Sequence, residues 1–170
     1  MKVFGKTERF KLIDTTGNRT LVCYGIEAVD AENSTWHEVD FTKAHGEVPS
    51  IERIKDAIIA DIDAETDARI LNGYEFTPDG AEEPIVVWLS KESQTNFSEA
   101  QRLGIVPVTF KLNETAERQA IYHTFETVEE LNRFYIGGVA YIQQCLAAGW
   151  QRKDAFDFTP YEEALNGGGE

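Results

Sequence analysis

The chain has 170 residues, 42% of them apolar and 11% aromatic, which fits one globular domain, or one with a small appendage, around a substantial core. Its 30 acidic against 16 basic residues give a formal charge of −14, a field that repels phosphate backbones and anionic lipid and so argues against nucleic-acid and membrane partners. No apolar run approaches the roughly 20 residues of a membrane helix, and MKVFGKTERF lacks the apolar core of a signal peptide, so Sec-type secretion is not expected.

The first 45 residues read as strands. ERFKLI and RTLVCYGIEAV flank a Gly17-Asn18 turn signal and form an expected hairpin. STWHEVDFTK follows as a third alternating run, and HGEVPS reads as a linker. From Ser50 the period changes: Ile51, Ile54, Ile58 and Ile62 recur at helical spacing, with Gly73 expected as a left-handed stop. YEF and PIVVWLS are two short strands around a Pro-Asp-Gly turn. KESQTNFSEAQRL is a short helix ending at Gly104, and VPVTFKL and RQAIYHTF form another hairpin.

Thr127 and Glu130 open the last long helix in a capping-box pattern, in which the threonine hydroxyl caps one amide and the glutamate reaches back to another. Val128, Leu131, Phe134, Tyr135, Val139, Ile142, Cys145, Leu146 and Trp150 form its apolar stripe. Gly137-Gly138 interrupts the stripe, so a kink or close backbone packing should compensate. The order of elements predicts an α+β fold: an antiparallel sheet of hairpins covered by two long helices, with a β-rich N-terminal segment. The expected divisions are a β-rich segment over 1–45, an α+β core over 50–158 and a flexible tail over 159–170.

VWLSKESQTNF, residues 87–97, is where a strand meets a helix. Ser90 is a good N-cap, Glu92 complements the helix dipole, and Phe97 is placed to pack back on the sheet. Capping does not account for Gln94 and Asn96. They bond neighbouring backbone, such as strand 73–76, or they contact a ligand. Trp88, Gln94, Asn96 and Phe97 are therefore the candidate interaction residues.

IKDAIIADIDAETDARILNGYEF followed by VVWLSKESQTNF resembles a domain-of-unknown-function family. Its members occur in tail-fibre-type proteins of tailed bacteriophages and in prophages of gut bacteria. The shared pattern is a helix with Ile58, Asp63, Asp67 and Ile70, then Gly73-Tyr74, then Ser-x-x-Ser-Gln-x-Asn-Phe. The resemblance extends over about residues 50–158, through PVTFKL, YHTF and GWQRKDAFDF. It implies a phage context and no catalytic mechanism.

Other constellations point to structure rather than chemistry. DIDAETD, residues 61–67, alternates acids as a calcium loop does, but it lies inside a helix, without the glycine turn such a loop needs. His37, His45 and His123 sit on separate elements. Cys23 and Cys145 have apolar neighbours and read as buried thiols in a reducing compartment; Trp36, Trp88 and Trp150 read as core. No catalytic residue, metal or cofactor is expected. The sequence leads to a non-enzymatic phage or prophage structural or adaptor protein, a virion component acting through protein–protein contacts. Its partners would be other phage structural proteins or itself, in the virion or in the host cytoplasm during assembly. The alternatives are a tail-fibre assembly chaperone and, more remotely, a small glycan hydrolase.

Overall fold

The computed structural model describes residues 1–41 and 48–167. The first half of the expected linker, with His45, falls outside them, as does the end of the C-terminal glycine run. Helices and antiparallel strands are both present, as the sequence predicts, but the strands form three sheets. The described chain divides into two compact units, Met1–Ala64 with Arg152–Glu170, and Glu65–Gln151. These units run differently from the divisions drawn on the sequence.

In the first unit, β1 (Lys2–Lys6), β2 (Ile13–Thr16), β3 (Arg19–Ala28) and β4 (Asn33–Asp40) form one antiparallel sheet in the order β1-β4-β3-β2. The Gly17-Asn18 hairpin joins β2 to β3, with Gly17 at φ 59°. Strand β1 has no strong sequence signal, because KVFGK holds a glycine and two lysines among few apolar residues. ERFKLI is only partly strand: Thr7–Arg9 is a 3-10 turn and β2 begins at Ile13. Helix α1 (Ile51–Asn72) starts as expected, with Ser50 Oγ accepting from the Arg53 amide at 3.4 Å.

Ile54, Ile58 and Ile62 are buried with Val22 and Tyr24 of β3, and Tyr161 joins them. Tyr161 lies on α4 (Thr159–Gly167), which replaces the expected flexible tail over the described part of that segment. The helix is held because the Tyr161 ring is 3% exposed and its hydroxyl donates to the Cys23 carbonyl at 2.8 Å. The acids of DIDAETD lie on α1: Asp61 accepts from the Tyr24 hydroxyl at 2.8 Å, and Asp63 pairs with Lys153 at 2.6 Å.

The second unit is built from β5 (Tyr74–Phe76), β6 (Ile85–Val87), α2 (Lys91–Leu103), β7 (Val108–Glu114), β8 (Ala120–Phe125) and most of α3 (Val128–Asp154). Two antiparallel hairpins, β5-β6 and β7-β8, adjoin where the Trp88 amide donates to the Leu112 carbonyl at 2.8 Å. Side chains alternate in and out along β5 and β6 and along most of β7 and β8, whose register shifts between Lys111 and Asn113. Tyr74, Phe76, Val87, Leu89, Leu112 and Phe125 point to a core shared with Phe97, Leu131, Phe134 and Cys145. Glu75, Val86, Trp88, Lys111 and Tyr122 point to solvent. Period-two alternation of this kind marks a sheet with one face covered.

Gly73 is not a left-handed stop. A Cβ there would lie 1.9 Å from the Tyr141 hydroxyl, so the site demands glycine for space, and that hydroxyl donates to the Arg69 carbonyl at 2.9 Å. Gly137 and Gly138 do provide a close approach: a Cβ on Gly137 would sit 2.5 Å from the Tyr74 hydroxyl. That hydroxyl donates to the Phe134 carbonyl at 2.8 Å. The capping box is half formed. Thr127 Oγ1 accepts from the Glu130 amide at 3.2 Å, but Glu130 does not reach back. Its carboxylate is 5% exposed and accepts from the Asp79 amide at 2.9 Å, with His123 Nε2 at 3.0 Å. A buried carboxylate is stabilised by two nearby donors more than by one exposed helix-end amide.

Candidate functional site

The second unit has a groove of about 330 Å³ between α2 and α3. The sequence places it there through caps and spacing. Ser90 Oγ accepts from the Ser93 amide at 3.1 Å and fixes the start of α2; Gly104, at φ 62°, ends it. Between these caps, Phe97 and Ala100 are buried, so the helix lies on its Phe97 side and turns Gln94, Thr95, Ser98 and Glu99 along one wall. The facing wall is α3, through Tyr135, Val139 and Ile142, which lie three and four residues apart on one face. Tyr74, Leu89, Phe134 and Gly138 line the groove as well.

Phe97 is fixed by ring contacts with Phe110 and Phe134, at centroid distances of 4.8 and 4.9 Å. Edge-on aromatic pairs of this kind add roughly 0.5–1.5 kcal/mol each beyond burial. Tyr74 is committed to the Phe134 carbonyl, and burial pushes its phenol up to about 12, against a smaller opposing effect of Arg133. It is a hydrogen-bond donor at neutral pH, with no proton to give up. Gln94 Nε2 donates to the Leu89 carbonyl at 2.7 Å, which tethers the start of α2 to the end of the preceding strand segment. The hydrogen bond and charge of Arg102 hold the Glu99 carboxyl below the usual carboxylate range. The groove thus offers an apolar floor, one ionised carboxylate at the rim and the hydroxyls of Ser98 and Tyr135. An arrangement of this kind recognises an apolar side chain or a small apolar molecule, oriented by a few polar contacts.

Of the four candidate interaction residues, the structure brings Gln94 and Phe97 together in the groove. Gln94 bonds backbone, as one of its two readings held, though the partner is Leu89 rather than strand 73–76. Phe97 is 4% exposed and presents only part of its ring. Trp88 and Asn96 are not among the lining residues. Trp88 is 36% exposed on the outer face of the sheet, with Lys111 Nζ 5.7 Å from its ring centroid. Asn96 is exposed on α2. Sequence reasoning missed Tyr135, Val139 and Ile142 as site residues. Their signal was present in the apolar stripe of α3, which is wider than one buried seam requires.

Elsewhere, Cys23 and Cys145 are both buried free thiols, and burial, with Glu38 and Asp14 adding, pushes the Cys23 thiol up to about 11. Burial also raises the Tyr141 phenol, with Cys145 contributing. Among the described residues, no helix is long and apolar enough to cross a membrane.

Neither a curated protein nor a solved structure matches the chain. A family model does, over residues 53–166, which takes in α2, the groove and α3. The chain belongs to the family described as a domain of unknown function, DUF4376.

Proposed function

We propose that this chain is a non-enzymatic structural or adaptor protein of a tailed phage or prophage, and that the groove between α2 and α3 is where a partner protein docks. The observation that carries the docking reading is the composition of the groove. Its floor is aromatic and aliphatic, Val139 at its edge is 40% exposed, and its charge comes from a carboxylate. An apolar pocket whose one rim carboxylate is already paired with Arg102 suits a helix or extended segment that inserts an apolar anchor. The titratable groups lining it are Tyr74, Tyr135 and Glu99. Tyr74 is engaged with backbone and Glu99 with Arg102, which favours binding over bond-making chemistry. The phage setting rests on the resemblance carried by residues 50–158.

A photo-crosslinking residue in place of Thr95, on the groove wall, tests the docking. Illumination in cells producing particles should give one dominant adduct with a particle protein, and Val139→Asp should abolish it. Adducts spread over many proteins, or an adduct unaffected by Val139→Asp, would remove the groove from the account.

A further inference from the structure

Along the edge of the groove, with Val139 common to both, α3 turns a further surface to solvent. Ile136, Val139, Gln143, Leu146 and Trp150 follow one another at steps of three, four, three and four residues, the a/d spacing of a helix-pairing seam. Ile136 is 63% exposed, Val139 40% and Trp150 53%. Leu146 is half-buried, and the exposed Ala140 and Ala147 leave room for a second helix to come close. The seam is about 21 Å long at helical rise. No Asp, Glu, Lys or Arg occurs over residues 134–151, although 27% of the whole chain is charged.

We infer that the occupant of this seam is the same seam on a second copy of the chain, packed antiparallel about Gln143. Charge is the first reason. Two chains of −14 repel one another over most of their surfaces, and this uncharged strip is where they can meet without placing like charges in contact. A basic foreign helix would instead find no acid along the strip to recognise. Symmetry is the second reason. Gln143 stands midway between Ile136 and Trp150, so a two-fold axis through it sets Ile136 against Trp150 and Val139 against Ala147. In that arrangement each large side chain faces a smaller one. Gln143 meets its own counterpart, and a primary amide can donate to and accept from an identical amide. A parallel pair would stack Trp150 on Trp150 and leave the other end thin. Just beyond the seam, Arg133 and Lys153 are neutralised by Asp79 and Asp63, each at 2.6 Å. A single helix pair buries less than the roughly 800 Å² per partner of a standard interface, so the dimer should dissociate on dilution.

Sedimentation equilibrium of the full chain, from about 1 to about 200 µM, tests this in the range expected of a small interface. The apparent mass should rise with concentration from 19.1 kDa towards twice that value. Ile136→Glu and Trp150→Glu should each weaken association at least tenfold, whereas Tyr122→Glu, on the sheet's outer face, should leave it unchanged. Both seam residues are exposed, and far-UV circular dichroism checks that the variants remain folded. On mild oxidation, Gln143→Cys should give a disulfide-linked dimer. Ile136→Cys alone should not, while the Ile136→Cys/Trp150→Cys pair should. A wild-type chain that stays monomeric throughout would overturn the inference and leave the seam to a helix of another protein. Association that survives both glutamate substitutions, or rapid linkage through Ile136→Cys alone, would equally overturn it.

Discussion

Replacing Gly137 by alanine sets two effects against each other. In a helix interior the change should stabilise by up to about 1 kcal/mol, because glycine has the larger backbone entropy to lose. Here the added Cβ would stand 2.5 Å from the Tyr74 hydroxyl and 3.3 Å from its Cζ. Tyr74 cannot move aside freely. Its ring is 7% exposed, lies 5.8 Å from the Phe134 ring and holds the Phe134 carbonyl at 2.8 Å. Displacing it costs roughly 1–3 kcal/mol in overpacking, and about 1 kcal/mol for the lost hydrogen bond. Gly137→Ala should therefore destabilise the protein by about 1–3 kcal/mol, the helix gain offsetting part of the clash. Tyr74→Phe removes the hydroxyl and with it the closest contact. In that background Gly137→Ala should be nearly neutral, giving a coupling of about 1–3 kcal/mol between the two positions. Urea unfolding followed by tryptophan fluorescence measures all four corners of the cycle. A Gly137→Ala chain more stable than wild type, or an equal cost with and without the hydroxyl, would refute the reasoning.

Thr127→Ala should lower the urea midpoint by the equivalent of about 1 kcal/mol, with unchanged slope, through loss of the α3 cap. Glu130→Ala should cost roughly 1–3 kcal/mol, since the Asp79 amide and His123 lose a buried acceptor; an unchanged melting temperature would contradict the role given to that carboxylate. The folded-state pKa of Cys23 is raised, so its contribution to stability is fully present below about 9 and is lost as pH rises through about 11. Thiol labelling at pH 8 should accordingly be slow for the folded chain and fast in denaturant; equal rates would refute the burial. Melting curves with excess chelator and with added calcium should superimpose, because the acids at 61–67 lie along a helix. A shift of several degrees with calcium would overturn that reading.

The elements that sequence made legible are those whose cause is local. The isoleucines of α1, the Ser90 and Thr127 caps, the helix end at Gly104 and the hairpin turns at Gly17 and Gly80 each depend on residues within a turn or two. What stayed hidden depends on partners far along the chain. Gly73 was legible as a special glycine, yet its reason is Tyr141, which arrives from α3. Glu130 fits a capping pattern, but a buried backbone amide at Asp79 and the ring of His123 take its carboxylate instead. The fate of the C-terminal segment turned on the Tyr161 hydroxyl reaching the Cys23 carbonyl. The groove was invisible for the same reason. Gln94 and Phe97 drew notice through their own turn of α2, whereas Tyr135, Val139 and Ile142 become the groove's other wall only when α3, which carries them, folds against α2.

The central claim, that this chain works as a docked component of a phage particle, is tested most directly by quantitative mass spectrometry. The samples are purified particles and tail-assembly intermediates from a bacterial culture that expresses this chain together with the proposed phage or prophage. The account predicts the chain at a fixed ratio to a tail protein, lost with Val139→Asp in the groove but kept with Ile136→Glu, which alters the seam alone, each in a chain that still folds. Its absence from particles and from every intermediate would contradict the account.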